Sequence, residues 1–153
     1  MNESIQVTGT WNFIWSDKDG KEIRRRTEKN LVVASGLAAY AAILADELAQ
    51  DCAIYVALGT GTTAAANGDT KLETETVRKI VTTLTRNSAT IIYRFYFLTG
   101  EAVGDFTEWG VFLEATASAD SGRLLNRLVP VGGVSKASNE QLTVEVQIAF
   151  AAA

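Results

Sequence analysis

At 153 residues and 16.4 kDa, the chain has the size of one domain and can bury a core without disulfide or metal staples. Its hydrophobic content of 47% excludes an intrinsically disordered chain, and no run approaches the roughly 18 apolar residues of a membrane span. Fourteen basic against eighteen acidic residues, a formal net charge of −4, argue against a nucleic-acid partner, which needs a basic face.

The N-terminal stretch MNESIQVTGTW has no basic region followed by an apolar run, so no conventional secretory signal is expected. That leaves the final location open, because particles assembled inside a cell are also released by lysis. The single cysteine, Cys52, excludes an intrachain disulfide and reads as a small buried hydrophobe. The sequence contains no histidine, which removes His-based zinc sites and both Ser–His–Asp and Cys–His hydrolysis.

Residues 5–15 alternate, with Ile5, Val7, Trp11, Phe13 and Trp15 on one side and Gln6, Thr8, Thr10 and Asn12 on the other. Period two with one apolar side predicts a half-buried strand. Asp17-Lys18-Asp19-Gly20 supplies a turn, and residues 21–33 return as the second strand of a hairpin. The return strand is more polar and holds a basic cluster, Arg24, Arg25 and Arg26, diluted by Glu22 and Glu28. A solvated or interface strand is the expectation there, with a phosphate-backbone contact as the alternative.

One helix is expected at about 35–49, with Ser35 as N-cap and Leu37, Tyr40, Ala41, Leu44 and Leu48 at helical spacing toward a sheet. Asp46 and Glu47 near its end oppose the helix dipole at small cost. A short strand at 54–58 leads into a small-residue loop at 59–69. Further strands are expected at 76–86, 89–98, 107–113, 123–131 and 142–150. In the fifth of these six strands, 123–131, Pro130 suggests an edge or bulge. In the last, Leu142, Val144, Val146, Ile148 and Phe150 point inward. About eight short strands, one helix and no βαβ rhythm predict a single, mainly β domain over 1–153, an antiparallel β-sandwich or jelly-roll-like fold.

The candidate chemistry is weak. Gly59-Thr60-Gly61-Thr62-Thr63-Ala64 superficially matches a dinucleotide fingerprint. That motif needs a helix directly after it to hold the pyrophosphate, whereas here the chain runs into Asn67-Gly68-Asp69. Two groups of carboxylates, Glu101/Asp105/Glu108 and Asp69/Glu73/Glu75, read as solvated loop charges. A calcium site or a salt-bridge network is the alternative, and a glycosidase pair would require a cleft that spacing cannot show. The most distinctive segment is Glu108-Trp109-Gly110-Val111-Phe112. Trp109 reads as core or interface rather than as a ligand-stacking residue, and Gly110 as the site of a bulge or close backbone crossing.

Several ordered segments together resemble a family of tailed-bacteriophage virion proteins. They are Asn30-Leu31-Val32-Val33 before the alanine-rich helix, Tyr55-Val56-Ala57-Leu58-Gly59-Thr60-Gly61, Asp69-Thr70-Lys71-Leu72-Glu73 and Val77-Arg78-Lys79. The series continues through the aromatic strand 91–97, Glu108-Trp109-Gly110-Val111-Phe112, Leu124-Leu125-Asn126-Arg127 and Leu142-Thr143-Val144. The resemblance covers roughly residues 30–150. Near Thr63 to Ala65, where the family pattern often has a proline, this chain has alanines.

The resemblance implies a small β domain with a structural role in the tail, baseplate, neck or fibre attachment of a virion assembled in the host cytoplasm. It implies a homo-oligomer docked to other virion proteins, with no enzymatic activity, cofactor, metal, nucleic acid or membrane. The tryptophan-rich hairpin at about 5–30 is a candidate assembly arm. The candidate interface residues are Trp11, Phe13, Trp15, Arg24, Arg26 and Trp109, although the hairpin aromatics fit a core equally well. The alternative is a carbohydrate- or host-receptor-binding β-sandwich module, with a surface glycan as partner.

Overall fold

The computed structural model describes residues 3–48 and 52–153. The chain forms β1 (Ile5–Ser16), β2 (Glu22–Val32), α1 (Ala34–Leu44), β3 (Ile54–Gly59), β4 (Glu75–Ile80) and β5 (Thr83–Asn87). It continues with β6 (Thr90–Phe97), β7 (Gly104–Phe106), β8 (Glu108–Leu113), β9 (Arg123–Leu128), β10 (Val134–Lys136) and β11 (Gln141–Ala152). Nine strands follow the order β4-β3-β8-β9-β2-β1-β11-β6-β5, and β10 pairs with β7 separately. All the pairings are antiparallel. The fold is mainly β and sandwich-like, as the alternating patterns predict.

Two corners turn this strand order back on itself. β2 pairs with β1 from Glu22 to Asn30, and only its last residues, Leu31 and Val32, pair with β9. At the other corner β4 and β5 are consecutive in the chain. Val81 N–H donates to Ile54 of β3, and Thr82 N–H donates to Arg94 of β6. The two ends of the nine-strand order therefore meet at Val81 and Thr82. The inner faces meet through aromatic rings: the Trp109 ring of β8 lies edge-on to Phe13 and Trp11 of β1, with centroids 4.9 Å and 6.3 Å away.

Alternation predicts which side chains enter this core. Trp11, Phe13 and Trp15 of β1, Tyr93, Phe95 and Phe97 of β6, and Leu142, Val144, Val146 and Ile148 of β11 are all buried in one cluster. Each such side chain contributes about 1.5–3 kcal/mol by leaving water. Ile5 is the exception in β1, exposed at the open end of the strand.

The hairpin is not a detached arm. β1 is an interior strand, paired along its length with β11 from Ile5 to Ser16 and with β2 from Gly9 to Ser16. Its turn forms as expected, with Asp17 Oδ1 accepting the N–H groups of Asp19 and Lys21 and Gly20 at φ 85°.

The helix differs from its expected form in three ways. It ends at Leu44, short of the expected residue 49, which lies outside the described residues. Val33 takes the N-cap position, and the Ser35 hydroxyl donates to the Leu124 carbonyl instead. The buried face is Gly36, Ala39 and Ala42, whereas Leu44 is 88% exposed. Close approach explains the exchange: a Cβ on Gly36 would stand 2.2 Å from the Leu125 carbonyl oxygen. Only the small-residue face fits against β9. Tyr40 then reaches past it to the Tyr93 hydroxyl, 3.2 Å away, and to the Phe150 ring.

The expected strand at 76–86 is divided by the corner into β4 and β5, and the one at 123–131 stops at Leu128. Pro130 lies beyond it in a turn closed by Gly133 N–H donating to its carbonyl. β7 and β10, three residues each, carry too little periodicity to be read from sequence.

Candidate functional site

Residues from four of the segments that carry the resemblance meet at the loop between β3 and β4. Glu108, the first residue of β8, is fully buried, and Arg127 of β9 nearly so. Glu108 Oε1 accepts N–H bonds from Gly61 at 3.0 Å and Thr74 at 2.6 Å, while Oε2 accepts Glu73 N–H at 2.9 Å. Arg127 completes the shell through Nη2 at 2.9 Å and Nε at 3.3 Å from Oε2. Its Nη1 donates to Asp69 Oδ2 at 2.9 Å, so one guanidinium ties the interior of the loop to the carboxylate that holds its two ends. Burial disfavours the Arg127 charge, but hydrogen bonds to Asp69 and Glu108 outweigh it and raise the pKa above the ordinary value.

Glu73 serves the same loop from the surface. Its Oε2 accepts the N–H groups of Thr62 and Thr63 at 3.1 and 2.9 Å. These bonds, that from Thr63 foremost, hold its carboxyl below the usual range. The backbone N–H groups that a phosphate-binding loop would present to its ligand are thus taken by the protein's own carboxylates. The glycines serve close approach: a Cβ on Gly59 would lie 2.3 Å from the Thr74 carbonyl, and one on Gly61 2.5 Å from Glu73 Cβ. Nothing in this arrangement resembles a dinucleotide cradle.

The carboxylates expected as solvated loop charges are therefore partly structural. Glu108 is wholly inside, and the Glu75 side chain is almost wholly buried against Arg78. Arg78 stacks on the Phe112 ring at 4.4 Å and donates to the Thr116 carbonyl and the Ser121 hydroxyl, while Glu75 accepts Asp120 N–H. This second ion pair fixes the 115–122 loop. Among the described residues, no group of three His, Cys, Asp or Glu side chains is placed to hold a metal ion. Glu108 and Arg127 had a sequence signal: each is a charge set at the edge of or within an apolar strand, where it needs a buried partner.

Of the six candidate interface residues, Trp11, Phe13 and Trp109 are completely buried and Trp15 nearly so. They are core, because each lies on the inward side of its strand and the opposing sheet covers it. Trp15 Nε1 also donates to the Ser135 carbonyl at 2.8 Å. Arg24 and Arg26 do lie at the surface. Arg24 lies over the Trp15 ring at 4.4 Å and pairs with Glu140, while Arg26 pairs with Glu28 and donates to the carbonyls of Val131 and Gly133. Their positive charges are matched within the chain. Gly110 sits beside a register shift between Val111 and Phe112, where Asn126 Oδ1 accepts Val111 N–H, in keeping with the expected bulge.

An apolar cavity of about 430 Å³ opens between α1, β5 and β6. Tyr40, Ile43, Leu44, Cys52, Ile91 and Phe150 line it, with Leu84 and Arg86 of β5 on its wall. Cys52 is only partly buried there. Comparison of the chain with protein-family models, with curated proteins and with solved structures finds no match.

Proposed function

We propose that the chain is a structural subunit of a tailed-bacteriophage virion, in its tail, baseplate, neck or fibre attachment, working by symmetric self-assembly and docking to other virion proteins. The observation that carries the reading is the coupling of the resembling segments. Gly61, Asp69, Glu73, Glu108 and Arg127 come from four of those segments and meet in one network around the buried Glu108 and Arg127. Such a network holds a loop in shape without leaving its polar groups for a ligand. The protein's surfaces and strand edges are then what it offers to neighbours.

The glycan-binding alternative draws less support. A sugar site uses exposed aromatic faces, yet all three tryptophans are buried and packed into the core. The test is twofold. Native mass measurement of the purified chain is expected to give a defined multimer, and antibody labelling of purified tailed particles from the encoding phage is expected to mark one position on each particle. Particles free of the chain would overturn the reading.

A further inference from the structure

We infer that the outer edge of β5 is a self-pairing seam, through which two copies of this chain join antiparallel about a two-fold axis at Thr85. This deepens the assembly reading above and rests on it. β5 ends the nine-strand order, and among the described residues no strand pairs with its outer side. All five of its residues are exposed, and Leu84 presents an apolar side chain at 49% exposure.

The other open edges of the nine-strand sheet carry devices that block pairing. The stretch of β2 not paired with β9 bears Glu22, Arg24, Arg25, Arg26, Glu28 and Lys29, and Arg26 is tied to the carbonyls of Val131 and Gly133. The other terminal strand, β4, bears the partly exposed Lys79, ion-paired with Glu101, while its Glu75–Arg78 pair is turned in against the 115–122 loop. Charged side chains on an edge prevent edge-to-edge association. β5, Thr-Leu-Thr-Arg-Asn, has one charge and no proline.

Register follows from geometry and charge. The β5–β6 hairpin turns through Ser88 and Ala89, with Asn87 opposite Thr90. A two-residue turn makes its flanking pair hydrogen-bonded, so Leu84 and Arg86 direct their N–H and C=O groups outward. Only outward residues can meet outward residues across the seam. Centring on Arg86 would set two guanidinium groups opposite each other, and centring on Leu84 would leave part of the strand unpaired. Centring on Thr85 overlaps all five residues, sets Leu84 against the aliphatic stem of the other copy's Arg86, and sets Thr85 against itself. The joined edge also extends the wall of the apolar cavity, to which Leu84 and Arg86 already belong.

The test uses the self-opposition of Thr85. Sedimentation velocity and native mass spectrometry compare the wild-type chain with Thr85→Asp, Thr85→Lys and their equimolar mixture, with circular dichroism to follow folding. Each variant alone places like charges roughly 5 Å apart across the axis and is expected to show half the wild-type mass. The mixture is expected to restore the full mass, because opposite charges then face each other. Wild-type mass in both single variants, or failure of the mixture to reassociate, overturns the seam while leaving assembly through another surface standing. A wild-type monomer at all concentrations overturns the seam and the self-assembly reading together.

Discussion

Glu108 and Arg127 stand 2.9 Å apart, both shut away from water, on neighbouring strands at the mouth of the loop they jointly hold. Each exists there only because the other does. The carboxylate is also satisfied by three backbone N–H groups, and the guanidinium by Asp69.

Glu108→Ala leaves Arg127 buried without its main partner and frees three N–H groups. The expected loss is about 3–5 kcal/mol, the range found when one member of a buried pair is removed. Urea unfolding measures it, and limited proteolysis between residues 60 and 74 is expected to accelerate. An unchanged unfolding midpoint would show that the pair does not hold the loop.

Gly61→Ala and Gly68→Ala separate crowding from loop flexibility. A Cβ on Gly61 would press on Glu73 and Glu108, whereas one on Gly68 meets nothing within 4 Å. The first is expected to destabilise by about 1–3 kcal/mol. The second is expected to be neutral or stabilising by up to about 1 kcal/mol, since neither clash nor positive φ opposes it. Thermal denaturation of the two variants side by side checks the contrast.

Phe13→Ala and Leu44→Ser test the division between core and surface. Phe13 is buried between Trp11, Trp15 and Trp109, and its loss is expected to cost about 3–5 kcal/mol. Leu44, though on the helix's expected apolar face, is largely exposed, so its replacement is expected to stay within about 0.5 kcal/mol. Equal effects would place Leu44 in a contact outside the chain.

Acid is expected to weaken the fold. Hydrogen bonds from Lys79 to Glu101 and from Arg24 to Glu140 hold both carboxyls below their ordinary value of 4.5. For Glu145, burial pushes upward but bonds from Gln147, Arg94 and Asn12 prevail, and the pKa is again lowered. A depressed folded-state pKa contributes stability above the unfolded value that is lost as pH falls through the folded one. Melting temperature is therefore expected to drop as pH falls below about 4.5, with a smaller drop in Glu145→Gln. At the alkaline end the sign reverses. Burial raises the pKa values of Tyr40 and Tyr93 above the ordinary 10.0, so the unfolded chain ionises first and stability is expected to fall above that pH. Tyr93→Phe is expected to lessen that fall.

The strand faces were legible because period two survives folding. Where one side of β1, β6 or β11 is apolar, that side must leave water, and the structure places it in the core. The helix was legible as a helix but not in its orientation. Leucines outrank alanines in hydrophobicity, but the space beside Leu125 admits no Cβ at Gly36, and sterics chose the small-residue face.

By itself, then, the sequence determined a histidine-free β domain with one helix and identified which side of each strand is apolar. These properties depend on residue type and local spacing. Tertiary structure alone decided that the hairpin tryptophans are core, that β4 and β5 part at a corner, and that Glu108 is held by Arg127. Each of these depends on which distant segments become neighbours: 19 positions separate Glu108 from Arg127, and no local pattern encodes that a buried carboxylate will meet its partner across a strand pair.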